Sequence, residues 1–538
     1  MISTRLLVVL RKAMGTAALL LVILLASTCF AQQLTGTLSA TVSDSAGAVV
    51  PNAKITMKND ASGDVRTTVS NGSGYFTITA VQPGSYSVSI EAPGFKSWTQ
   101  TGIVFSQGDS KTLPNIKLEV GKVTETVEIK AGADVVIPDN SEVSTTINQQ
   151  LIEDVPIVGR DAGELLKVMP GMALTNGLTQ GSGFNDKVVG TNNGPVGAYS
   201  SNGTQPYGAM AFMLDGANLV DPGNAGTQIA NINQDMVSEV KVLMSSYSAE
   251  YAKGPVIFQA FSKSGGNAFH GEAYLYARNS ALNSVDAYSK SQGLTNPAEH
   301  YYYAGGNIGG PIIIPGTDFN KSRKKLFFWA GYEYMNQHPA ATPVNYNVPT
   351  TEQRAGDFSE TTIDGVPGST PVSGCGGGST LLACLGSGSI WQYAYSSAYG
   401  LPTGKNKMTP ANYDPNVAGI LNMIPTPNIS PSAANGWNNY QYISTVPQNR
   451  WEATGKVDYA ISDNTKLTVS YTRQIENDQH PIGVWWTPPW TLPYPSNVVA
   501  PTTSQEIMAN FTHVFSPTTT NEFVFTLARY INPSSLSN

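Results

Sequence analysis

Side chains able to do covalent chemistry are sparse in this chain and poorly placed for it. A zinc hydrolase needs His and Glu side chains converging on one metal, with one position left open for water. The five histidines, His270, His300, His338, His480 and His513, are scattered, and none begins an HxxE or HExxH pair. No nucleophile stands beside a base at a recognisable spacing, so a secreted hydrolase is not the expected reading. Asp215-Gly216 and Asp221 suggest a cation site, but a tight turn accounts for them more simply. Asp hydrogen-bonds its own backbone in such turns, and Gly tolerates positive φ. No catalytic residue, metal or cofactor is expected.

The bulk composition points to turns and strands. Charged residues make up 13% of 538, about half the usual share for a soluble protein. Gly 52, Pro 34 and Tyr 25 favour an all-β chain with aromatic surfaces, and a net charge of -7 gives no footprint for nucleic acid. Residues 1–31 have the build of a secretory signal. Arg5, Arg11 and Lys12 precede an apolar run over 17–26, and cleavage is expected between Ala31 and Gln32. A lipidated Cys29 is disfavoured by Thr28 before it, and the run is too short to span a membrane as a helix. Cleavage leaves Cys375 and Cys384, set in the Gly/Ser-rich SGCGGGSTLLACLGSG. In an oxidising compartment they are expected to close a small disulfide loop, free thiols being the alternative.

The elements follow from periodicity. Short strands at 38–42, 54–58, 75–79 and 86–90 alternate with turn clusters at 44–47, 71–74, 83–84 and 93–94, the spacing of a small β-sandwich. Tyr75, Phe76, Tyr86, Phe95 and Trp98 could stack on a sugar or form the sandwich core. Residues 140–265 mix brief helices at 147–153 and 162–169 with strands at 212–216 and 237–244. The segment 258–278, FQAFSKSGGNAFHGEAYLYAR, then passes through a turn into a strictly two-faced strand. Glu272, Tyr274, Tyr276 and Arg278 lie on one face; Ala273, Leu275 and Ala277 lie on the other. Amphipathic runs at 300–311, 325–334, 454–461, 464–473, 506–515 and 522–530 approach the roughly 9–11 residues of a tilted membrane strand. A polar loop near 337–449 interrupts them. It is too long for a compact soluble domain but suits a barrel's outer face. A second loop holds Trp485, Trp486 and Trp490, placed either against a ligand or in an interfacial girdle.

These phrases resemble known families. Gly74-Tyr75-Phe76-Thr77-Ile78, Pro83-Gly84-Ser85-Tyr86-Ser87-Val88 and Pro93-Gly94-Phe95 resemble the carboxypeptidase regulatory-like domain, which implies a transthyretin-like, carbohydrate-binding-like sandwich over 34–120. Leu165-Leu166-Lys167-Val168-Met169-Pro170-Gly171, Leu214-Asp215-Gly216 and Val240-Lys241-Val242-Leu243 resemble a receptor plug over 140–265. Pro255-Val256-Ile257-Phe258 departs from the Gly-rich approach usual in that family. The junction phrase is similar to the plug-to-barrel passage of TonB-dependent outer-membrane receptors of the Oar-like group. Within the linker 121–139, Glu125, Thr126, Val127, Glu128 and Ile129 resemble a TonB box, a strand offered to a periplasmic partner. The same residues also fit a linker or a last sandwich strand.

The expected fold is therefore mainly β: a transthyretin-like β-sandwich, an α+β plug domain, and the N-terminal part of a transmembrane antiparallel β-barrel over 268–538. About seven strands are legible, against roughly 22 in plugged transporters. A longer protein, or a second polypeptide completing the barrel, is expected. The resemblance implies energised uptake of a large or scarce substrate in the outer membrane, with the N-terminal domains on the periplasmic side. The implied partners are the TonB–ExbB–ExbD machinery, outer-membrane lipid and an unknown extracellular ligand, for which oligosaccharide and peptide are candidates. A cell-surface adhesin or glycan-binding sandwich protein is the alternative.

Overall fold

The computed structural model describes residues 35–121, 126–130, 143–174, 199–355, 415–444, 448–480 and 498–536. Short interruptions fall at 107, 115, 156, 158, 202, 204–207, 209, 224, 227, 248–250, 252–253, 283, 286, 292–297, 339–341, 433–437, 517–518 and 534. Ala31, Gln32, Glu125, Cys375, Cys384 and the tryptophan loop lie outside the described residues.

Alternation builds the first unit. In Gly36–Asp44, Leu38, Ala40 and Val42 point inward, as do Ile55 and Met57 of Lys54–Asn59 and Val88 and Ile90 of Gly84–Glu91. One sheet sets Gly36–Asp44 against Tyr75–Val81 and, in parallel, against Ser110–Thr112 and Ile116–Leu118. The other runs Val65–Val69, Lys54–Asn59, Gly84–Glu91, Ser97–Phe105, Thr126–Lys130. Their inner faces share a core that includes Phe76, Tyr86, Trp98 and Phe105. The Tyr86 and Phe105 rings meet edge-on at 5.7 Å.

In the plug, Val256–Ser262 is buried at every position because it lies in the middle of a five-stranded sheet covered on both faces. It runs parallel to Met210–Leu214 and antiparallel to Val237–Ser245. The unusual Pro255 approach thus leads into an ordinary central strand. The Phe212 and Phe258 rings stack at 4.3 Å across the parallel pair. Two short helical pieces follow from their caps: Asn148 accepts from the Leu151 amide before Gln149–Asp154, and Asp161 accepts from the Gly163 amide before the 3-10 turn Ala162–Val168.

The third unit inverts the usual burial rule. Seven long antiparallel strands among the described residues, His270–Asn279, His300–Pro311, Leu326–His338, Gln448–Ser462, Thr465–His480, Val498–Ser516 and Thr519–Ile531, pair in sequence order. Their inward positions are largely polar and buried, including Glu333, Arg450, Glu452, Gln474, Glu476 and Glu506. Their outward positions, such as Leu275, Tyr332, Val457, Val469, Phe523 and Leu527, are apolar and exposed. That is the pattern of a barrel wall facing lipid. Short turns join Gln448–Ser462 to Thr465–His480 and Val498–Ser516 to Thr519–Ile531 at the rim next to the sandwich. Among the described residues no pairing joins His270–Asn279 to Thr519–Ile531, so the sheet is open.

The long polar segment at the opposite rim carries more structure than its composition suggests. Thr342–Tyr346 pairs with Tyr440–Ser444, and Thr350 and Gln353 form a reciprocal cap on the helix Thr351–Arg354. Arg354 donates to the carbonyls of Pro349, Leu421, Ile424 and Pro425 at 2.5–3.1 Å, tying that helix to the end of Pro415–Met423. These last ties are between side chain and backbone, and a hydrophobic period does not reveal them.

Gly74 (φ 73) closes the Asn71 turn, and a Cβ there would come within 2.5 Å of the Val42 carbonyl oxygen. Gly47 (φ 90) is as strained but faces open space. Gly74→Ala should therefore destabilise the sandwich by about 2 kcal/mol or more and Gly47→Ala by about 1 kcal/mol. Scanning calorimetry of the full chain checks the order of the two.

Candidate functional site

The plug meets the barrel wall through buried charge. Arg160 sits at φ 59, a conformation non-glycine residues rarely adopt, and is 3% exposed. Its Nε donates to Glu333 Oε2 of the wall at 3.1 Å, and its other end pairs with Asp235 of the plug. The guanidinium also lies 3.8 Å from the Tyr276 ring centroid, with Tyr274 and Tyr303 near it. A cation so enclosed is held only because two carboxylates and three aromatic faces replace its water.

Carboxylates outnumber cations around this seat. Asp161 receives the Gly163 amide at 2.7 Å and Gln228 Nε2 at 2.9 Å. Burial pushes its carboxyl up to about 7, with Glu164 adding to the rise and the Gly163 hydrogen bond opposing it. Next along the plug surface, Asn231 donates its amide to Gln474 at 2.8 Å and its side chain to Glu452 at 2.9 Å. Arg450 lies 3.9 Å from Glu452, and Ser504 donates to the Ile229 carbonyl. Several residues of the polar inward face of the wall thus take their partners from the plug.

Asp215 sits in a tight turn, the simpler of the two readings of its spacing, and its carboxylate is used within the fold. It occupies a turn with Gly216 (φ 47 and 85) between Met210–Leu214 and Ala217–Asn218. Its carboxylate accepts from the Ser262 amide at 3.0 Å and the Ser262 hydroxyl at 2.5 Å, and Lys456 of the wall is 3.8 Å away. Lys456 also donates to the Ser262 carbonyl at 3.2 Å, so the central plug strand is anchored to the barrel at its end.

The sandwich docks on the short-turn rim. Asp64 pairs with Lys466, Thr79 shares a hydrogen bond with Thr520 at 2.7 Å, and Thr35 donates to Glu522 at 3.1 Å. A cavity of about 680 Å³ lies between the three units, lined by Asp64, Gln82, Glu239, Lys263, Lys456 and Asn510 among others.

Sequence-predicted residues fall as follows. Thr126–Ile129 of the candidate box lie in Thr126–Lys130, which pairs in parallel with Ser97–Phe105 at the edge of the sandwich sheet. Of the aromatics that could stack on a sugar, Phe76, Tyr86 and Trp98 are buried in the core, Phe95 packs against it, and Tyr75 is exposed. Among the described residues no group of three or more His, Cys, Asp or Glu could hold a metal. The Arg160 seat was missed. Its clue was Glu333, a carboxylate on the face that also carries Phe327, Trp329 and Met335.

The fold and this seat define a plugged membrane β-barrel. Residues 261–538, just over half of the chain, match the Outer membrane beta barrel domain, and the chain belongs to that family. Residues 138–256 match the TonB-dependent Receptor Plug Domain and 37–119 the Carboxypeptidase regulatory-like domain. The chain is 22% identical over 274 residues to the TonB-dependent transporter Oar of Myxococcus xanthus, covering 50% of this chain and 23% of that protein. Among solved structures, the alcaligin outer-membrane receptor FauA of Bordetella pertussis is 11% identical at TM-score 0.37, covering 74% of this chain and 40% of that one. The siderophore receptor PirA of Pseudomonas aeruginosa is 10% identical at TM-score 0.35, covering 73% and 41%. The chain thus spans under half the length of each of these relatives. It is a protein of an outer-membrane family.

Asp161 supplies a pH dependence of known sign. Because its folded value lies above the ordinary carboxylate range, its stabilising protonated form is complete below about pH 4 and lost as pH rises through about 7. Plug docking should weaken across that window. Asp161→Asn, which keeps the cap, should flatten the profile when thermal unfolding is followed from pH 5 to 8.

Proposed function

We propose that this chain forms the plug-bearing part of a TonB-dependent outer-membrane transporter that takes up a large or scarce solute. The observation carrying this reading is the Arg160–Asp235–Glu333 seat, which holds a folded plug across the inner face of a membrane wall. A plug held by ionic contacts with an excess of carboxylates can be displaced by force without unfolding the wall. TonB, driven by ExbB and ExbD, would supply the pull. The solute would be met at the loop-bearing rim, with oligosaccharide and peptide as candidate classes. The open sheet requires completion by further strands, because unpaired edges are not tolerated in lipid.

The Glu125–Ile129 segment is the proposed handle. Four of its residues are already extended at the edge of the sandwich sheet, a geometry from which a partner strand can be added. Val127→Pro removes a backbone donor at the centre of the segment. It should abolish cross-linking of this segment to TonB and energy-dependent uptake, while outer-membrane levels of the protein stay unchanged. Undiminished cross-linking in that variant would rule the segment out as the handle.

A further inference from the structure

We infer that His300 and His338 form a binding site for a late first-row divalent metal, Zn²⁺, Ni²⁺ or Cu²⁺, at the loop-bearing rim of the barrel wall. Thirty-eight positions apart in sequence, the two residues face each other directly in the register between His300–Pro311 and Leu326–His338. Their rings lie 4.2 Å apart at 20°. Alternation puts both on the outward face: His300 follows the side of exposed Tyr302, and His338 that of exposed Tyr334. Each is half-buried and so within reach of solvent.

The ring nitrogens are what distinguish this pair. His270 spends Nδ1 on the Ala268 carbonyl at 3.2 Å, and His513 shares Nδ1 with the Thr465 hydroxyl at 2.9 Å. Neither His300 nor His338 is hydrogen-bonded to a protein group among the described residues. Two near-parallel imidazoles therefore present unclaimed nitrogens side by side. Metal–nitrogen distances of about 2.0–2.1 Å need the two nitrogens roughly 3 Å apart, so the two rings turn out of their 4.2 Å stack to aim both lone pairs at one ion. Imidazole donors suit Zn²⁺, Ni²⁺ and Cu²⁺ and do not suit Ca²⁺ or Mg²⁺, which take oxygen ligands. With two protein ligands, water completes the shell. A bound ion would staple the two strands at the end of their ladder, where His300 begins one and His338 ends the other.

The plain alternative is an aromatic pair in the interfacial girdle, and metal titration separates the two. The purified full chain in detergent is titrated calorimetrically with Zn²⁺ and with Ni²⁺, and heat-dependent gel mobility confirms that each variant is folded. One equivalent should bind, with affinity falling as pH drops from 7.5 to 5.5 because the ligands must be neutral. His300→Gln and His338→Gln should each weaken binding by at least about tenfold. His270→Gln, His480→Gln and His513→Gln should leave it unchanged. Absence of binding, or binding that survives in the folded His300→Gln, His338→Gln double variant, would overturn the assignment.

Discussion

Hydrocarbon cannot hydrogen-bond a peptide group, and the structure follows from that constraint. Each strand crossing the lipid must pair with neighbours on both sides, turn apolar residues outward and send its polar residues inward. The inward residues then need partners of their own. Glu333 finds Arg160, Glu452 and Gln474 find Asn231, and Lys456 finds Asp215 and the Ser262 carbonyl. The plug is thus more than a stopper, because it supplies hydrogen-bond and ionic partners to several polar residues of the wall.

This arrangement makes the plug well placed but weakly committed. Charge pairs fix register and orientation, yet their net stabilisation is small once desolvation is counted. A purely apolar plug surface of the same area would hold more firmly and resist displacement. The large apolar clusters lie within the plug and within the sandwich, and Ala528 and Tyr530 are wall residues that pack against the plug's core. Each unit can therefore remain folded while its polar contacts to the next are exchanged.

Much of this was legible from periodicity. The strand at His300–Pro311 and the two-faced strand after the Lys263–Asn267 turn coincide with the sequence pattern, because period-2 alternation survives wherever lipid and plug face opposite sides. The strands Gln448–Ser462 and Thr465–His480 are longer than the patterns at 454–461 and 464–473. Their ends continue pairing beyond the alternating run, where polar residues such as Gln448 and Asn477 lie on a ladder yet read as loop. Arg160 was illegible for another reason. It sits between Gly159 and Asp161 in an irregular stretch, and only the fold brings Glu333, 173 residues away, to its side.

The central claim, that an ionic seat couples plug to wall, is tested most directly by a double-mutant cycle on Arg160→Met and Glu333→Gln. The measured quantity is the denaturant needed to expose a cysteine placed at Ala260, in the buried central plug strand. A coupling energy of about 1–3 kcal/mol between the two positions is predicted. Additive effects, with no coupling, would mean that the plug is held by something other than this seat.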